Sequence, residues 1–302
     1  MKLNLKTLLV PFSLILLSVS CGNPEEGIED NPEFRNAQIP EDVKEGSEKI
    51  KQLFFSIPSP LETTEILERA GAFYDSKLTN DPMNIESYAT LEKKAINLGI
   101  YGTDLNYANV FEKTRETMFF FECLRKLTNE IGLSTVINEN TIEKLEENIY
   151  HRDSMVEIIT DIYWRVDDYL KEDNRSNVTA LIIAGGWIEG LYIGTQVLRM
   201  NPSNQELSQR IAEQKYSIEN IVSLIELYGD DDLLSGVKKD FYSLKDLFAK
   251  IEEKKDEINN TYDDKNDELL INNKITLKMS ADLLKEITSK TAEIRNRYIS
   301  KV

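Results

Sequence analysis

Histidine is almost absent from the chain, and cysteine is scarce: His151 is the single imidazole among 302 residues, and Cys21 and Cys123 are the two thiols. A transition-metal site built from imidazoles is excluded by count, and no pair of cysteines stands at metal spacing. An all-oxygen Ca²⁺ or Mg²⁺ site is left open by this count, but no motif for one stands out, so neither a metal nor a cofactor is expected. No Gly-rich phosphate loop, His-Glu-x-x-His pair or nucleophile elbow occurs. Positive charge is also in short supply, with 36 Lys+Arg against 53 Asp+Glu and a net charge of -17. Without a dense basic cluster the summed field repels a polyanion, which argues against nucleic acid as a partner.

What is present begins with a targeting segment. Lys2 and Lys6 precede an apolar run from Leu8 to Leu17 that is too short to be a good membrane span. Ser18-Val19-Ser20-Cys21-Gly22 resembles a bacterial lipobox, with Ser18 where most carry Leu. That resemblance implies a signal peptide over 1–20 and an acylated Cys21 as the mature N-terminus, anchoring the protein to the membrane through lipid. Gly22 stands where an inner-membrane retention signal would carry Asp, so the outer membrane is the expected address. Glu25 and Glu26, followed by Glu29 and Asp30, resemble the export signal of surface lipoproteins of Bacteroidota; a surface-exposed and a periplasm-facing orientation both stay open. Residues 21–40 read as an acidic, disordered tether. With Cys21 consumed by lipid no internal disulfide is expected, and Cys123, beside Phe120, Phe121 and Leu124, reads as a small buried hydrophobe.

Beyond residue 40 the periodicity is helical and strand signals are few. Tyr107, Phe111, Thr114, Met118 and Phe121 form one apolar stripe; Met155, Ile158, Ile162, Val166 and Tyr169 a second; Leu234, Val237, Phe241, Leu244 and Phe248 a third; Leu284, Ile287, Thr291, Ile294 and Tyr298 a fourth. Ser59-Pro60, Asp81-Pro82, Asn201-Pro202-Ser203 and Gly229-Asp230 punctuate them. His151, near Asp153 and Ser154, reads as a surface or capping residue, and Asp230-Asp231-Asp232 as the first turn of a helix. The expected fold is all-α, a helical bundle or stacked helical hairpins of about eight helices. A body over 41–258 is followed by a polar loop and a packed C-terminal helix over 259–302. Lys254 to Asn273 reads as an exposed loop or frayed helix end, and Ile275 to Met279 as a strand candidate.

Val178 to Leu198 is apolar on all sides except for Glu189 near its middle, which favours a central core helix over a membrane span. Gly186, Gly190 and Gly194 recur every four residues, predicting a face that a neighbouring helix approaches closely. An acid in such a helix must be paired, hydrogen-bonded or neutral, whether its role is structural or functional. Trp187 and Tyr192 beside it could line a pocket. Asp104 and Tyr107 repeat the acid-to-tyrosine spacing of Glu189 and Tyr192, and the stretches Leu98 to Phe111 and Ala184 to Val197 could be halves of a duplication whose acids meet in one bundle. Glu189, Trp187, Tyr192, Asp104 and Tyr107 are therefore the candidate ligand-binding residues.

Three segments carry a further likeness: Tyr101-Gly-Thr-Asp-Leu-Asn-Tyr-Ala108, Gly185-Gly-Trp-Ile-Glu-Gly-Leu-Tyr192 and Glu293-Ile-Arg-Asn296. They resemble uncharacterised all-helical lipoproteins of Bacteroidota over most of the body, a likeness that implies no activity for particular residues. The expectation is a non-catalytic envelope lipoprotein that binds a small ligand or a protein partner. The alternatives are an enzyme that uses Glu189 and Asp104 as paired carboxylates and a structural assembly subunit.

Replacing Cys21 by Ala is expected to abolish acyl labelling and release the protein from the membrane fraction; unlabelled protein that still sediments with membranes would contradict the lipobox. Changing Glu25 and Glu26 together to Ala should leave lipidation intact but remove accessibility to protease on whole cells, if the pair is an export signal.

Overall fold

The computed structural model describes residues 67–69, 72–148, 151–227, 232–255, 259–263, 268–272 and 275–301. The leader, Cys21, Glu25, Glu26, the tether, Ser59-Pro60, Gly229-Asp230 and Asp231 lie outside these residues. Where Asp81-Pro82 predicts a start, a 3-10 turn runs over Pro82–Ser87, and the Asp81 side chain accepts the Met83 N–H while proline fills a position that needs no donor. Thr90 then caps α1 (Leu91–Val110) by accepting the Lys93 N–H.

Seven more α-helices follow, so that the fold is all-α as expected: α2 (Thr114–Glu130), α3 (Glu139–Glu147), α4 (Arg152–Glu172), α5 (Ser176–Met200), α6 (Gln205–Leu227), α7 (Asp232–Phe248) and α8 (Ala281–Ile299). Asn201-Pro202-Ser203 falls in the break between α5 and α6, and Asp232 opens α7. His151 precedes α4 as an exposed residue whose side chain makes no capping bond.

α5 is the helix the others are built around. It packs against α1, α4, α6, α7 and α8, and its residues from Val178 to Gly190 are buried without interruption. It is long and apolar enough to cross a membrane, yet almost all of it is covered by the rest of the fold. The all-round hydrophobicity is thus that of a helix surrounded by protein.

The largest helix contact, between α1 and α5, depends on two glycines. An ideal Cβ on Gly99 would stand 1.9 Å from the Ile182 carbonyl oxygen, and one on Gly185 would stand 2.0 Å from that of Ile96. The Thr103 hydroxyl adds a bond to the Gly186 carbonyl at 2.9 Å. Contacts climb together along both helices, from Ile96 and Ile182 to Asp104 and Glu189, so α1 and α5 run parallel. The predicted stripe is corrected accordingly: Gly186 contributes through its backbone, but a Cβ on Gly194 would meet only Ile211 Cγ1 at 4.0 Å, an ordinary contact, and the closest approach belongs to Gly185, with Gly99 as its counterpart.

The strand candidate at Ile275 to Met279 is a strand, β4 (Ile275–Lys278), whereas Lys254 to Asn273 requires a correction: in place of a loop or frayed helix, β1 (Glu252–Lys255) pairs antiparallel with β4, and β2 (Asn259–Asp263) pairs antiparallel with β3 (Glu268–Asn272). Thr261, Tyr262, Leu270 and Ile271 suit a pleated ribbon, a preference outweighed in the sequence by the surrounding charges. Cys123 is buried, and burial above all pushes its thiol up to about 12, which leaves it protonated and unreactive.

Gly99→Ala and Gly185→Ala should each force backbone against backbone and cost about 3 kcal/mol or more, since overpacking already costs about 1 to 3 where side chains can yield. Gly194→Ala has room and should gain about 0.5 to 1 kcal/mol from helix propensity. Melting temperatures of the three variants check this; equal values would show that the α1–α5 contact is looser than described.

Candidate functional site

Three helices and the segment before the 3-10 turn bring charged groups together in the core. α5 supplies Glu189, α1 supplies Asp104, and α8, capped by the Ser280 side chain on the Leu283 N–H, supplies Arg295. Arg295 Nε donates to Glu189 Oε2 at 2.8 Å and Nη2 donates to Oε1 at 2.7 Å. Nη2 also donates to the Leu78 carbonyl at 3.2 Å, and the guanidinium lies 4.6 Å from the centre of the Tyr192 ring. Glu189 is 0% exposed and Arg295 5%. A planar fork on a carboxylate is the geometry that makes such burial tolerable. Burial alone would lower the Arg295 pKa, but the Glu189 charge outweighs it and the pKa is raised.

Asp104 completes the cluster. Its Oδ2 accepts the Asn80 backbone N–H at 3.0 Å, while Oδ1 has no hydrogen-bond partner among the described residues. Burial first, then the facing Glu189 charge, push its pKa well above the usual carboxylate range, against the opposing pull of Arg295. Two facing carboxylates next to one guanidinium leave an uncompensated negative charge in the core. A proton on Asp104 removes that charge and turns the orphaned oxygen into a donor toward Glu189. The surrounding network is polar throughout: Asn80 Nδ2 donates to Tyr88 Oη at 2.9 Å and to Asn97 Oδ1 at 3.1 Å, and Asn97 Nδ2 donates to the Tyr298 carbonyl at 3.0 Å.

Asp104, Glu189 and Tyr192 therefore meet, as expected of two acids in one bundle, whereas Tyr107 and Trp187 lie elsewhere. Tyr107 donates its hydroxyl to the Phe73 carbonyl and accepts the Asp75 N–H, both at 3.1 Å, which ties the segment before α1 to the body. Trp187 donates Nε1–H to Gln214 Oε1 at 3.0 Å and packs on Phe241 and Phe248. Arg295 is the residue that sequence reasoning missed, and the signal was its position: Ile287, Thr291 and Arg295 follow at intervals of four on the inward face of α8.

Chemically the cluster is a closed staple. Both oxygens of Glu189 are engaged by Arg295, and neither acid lines the three cavities that follow. An apolar cavity of about 90 Å³ lies between α1, α2, α3, α4 and α5, walled by Leu105, Phe121, Leu124, Ile142, Ile162 and Ile182 among others. One of about 30 Å³ lies between α5 and α6 beside Trp187 and Gln214. A polar groove of about 580 Å³ runs between α6, β4 and the start of α8, past Gln205, Gln209 and Thr276. Among the described residues no group of three or more His, Cys, Asp or Glu could hold a metal ion. Compared with known proteins, the chain matches no family model, no curated protein and no solved structure.

Arg295→Met should cost about 3 to 5 kcal/mol, because it strands the Glu189 charge in the core. Asp104 has the opposite sign from the usual carboxylate. With its pKa raised on folding, the native state binds the extra proton, so its contribution is greatest at low pH and is lost as pH rises toward the folded-state pKa. Asp104→Asn, which mimics the protonated acid, should flatten that fall in stability; denaturant unfolding across pH 4 to 9 measures it, and an unchanged slope would mean that Asp104 is ionised in the native state.

Proposed function

We propose that this protein is a non-catalytic lipoprotein of the cell envelope, anchored through Cys21 to the outer membrane, whose helical body binds a small apolar ligand. The lipobox-like segment and the acidic tether support the address, and the apolar cavity between α1 and α4 carries the binding reading. Five helices here form an apolar cleft of about 90 Å³ whose side chains offer almost no polar surface. Ligand sites of this kind form between the helices of bundles and are mostly apolar. The paired-carboxylate enzyme has in its favour the contact of Asp104 with Glu189, but a substrate would have to displace Arg295 to reach either oxygen of Glu189.

The experiment is titration of the full mature chain with toluene as the apolar probe, followed by methyl NMR. Saturable shifts at Leu105, Ile142 and Ile162 are expected, and Leu124→Trp, which fills the space, should abolish them while the fold persists. Shifts that never saturate, or that survive Leu124→Trp unchanged, would overturn the cavity as a binding site.

A further inference from the structure

The ribbon before the last helix leaves one strand edge unused. β4 pairs with β1 along one side, and beyond that ladder none of Thr276, Leu277, Lys278 and Met279 hydrogen-bonds another described residue. In an antiparallel pair only alternate residues turn their N–H and C=O toward the partner strand, so half of the main-chain groups of β4 point the other way. An edge of this kind is a template on which another extended chain can add as a strand, and folds commonly shorten, charge or cover it.

Here the cover stops short, and the polar groove of about 580 Å³ runs along the edge. Successive side chains of a strand point to opposite faces, so a groove lying on one face would meet every second residue. This one is lined by every residue from Thr276 to Ser280, while β1 contributes only Glu252. Its far bank is α6, which packs beside β4 and lines the groove with Gln205, Gln209 and Ala212, a single face of that helix. At about 3.4 Å per residue, Thr276 to Ser280 give an edge of about 14 Å, the length of about five residues of extended peptide.

We infer that this groove takes an extended, acidic peptide segment of a partner protein, which adds to β4 as a third strand. Main-chain bonds supply the affinity in this mode and the side chains on the banks the preference. Charge selects the occupant: Lys250 and Lys278 outnumber Glu252 on the groove, in a chain whose net charge is -17, and the exposed Lys278 has no ion-pair partner among the described residues. A second copy of this chain fits less well. Docked through the same edge it would set lysine against lysine, and it would bring its own α6 to the place where the first copy's ribbon stands. The groove shares no residue with the cavity between α1 and α4, so the two sites stand or fall separately.

The test titrates the full mature chain with the blocked peptide acetyl-Glu-Val-Thr-Val-Glu-amide and follows backbone amides by NMR. Saturable shifts at Thr276, Leu277, Lys278 and Met279 are expected, and the same peptide methylated on every backbone nitrogen should produce none. Lys278→Glu, an exchange at an exposed position, should weaken the unmethylated peptide about fivefold, the upper scale of one exposed ion pair. Equal binding of the methylated peptide overturns strand addition, and affinity unchanged by Lys278→Glu overturns the acidic preference. No saturable shift at the β4 amides overturns the proposal. So does self-association of the chain, measured by sedimentation, that shifts the same amides without peptide, since the occupant is then a second copy.

Discussion

Everything in the body is referred to the backbone-to-backbone contact of α1 with α5. Helices separated by ordinary side chains lie about 8 to 10 Å apart; with Gly99 on Ile182 and Gly185 on Ile96 no Cβ fits between the two, and they approach more closely than any pair that must house a side chain. That closeness has a local cost, since each glycine forgoes about 1 kcal/mol of helix propensity. It also fixes the register to a single choice, because sliding either helix by one residue would drive a side chain into the opposite backbone. A contact so intolerant of adjustment specifies the structure more than it stabilises it.

The charged cluster follows from that register. Once Gly99 and Gly185 are seated, Asp104 and Glu189, each a turn or more farther along its helix, are carried to the same level of the core. Neither can reach water, so the fold has to supply compensation, and it does so from the far end of the chain through Arg295 on α8 and from the near end through Leu78 and Asn80. Buried ion pairs of this kind often contribute little net stability against an apolar replacement. Their effect here is to tie the segment before α1, the central pair and the last helix into one arrangement, so that the closing helix cannot dock in another rotation without stranding a charge.

How much of this could be read from residues alone depends on whether the determining signal is local. The helices were legible because an apolar period repeats along each segment, and the central role of α5 because Val178 to Leu198 lacks a polar face. Glu189 was legible as an anomaly for the same reason. Arg295 was not: an arginine in an amphipathic helix is ordinary until its neighbour across the core is known, and that neighbour lies 106 positions away. The glycine stripe was half legible, since spacing shows which face is smooth but not which part of it touches. Of the ladders, β4 was legible from its alternation of apolar and polar residues, whereas β1, β2 and β3 were concealed by the charged residues in and around them, which a strand pair tolerates as readily as a loop does.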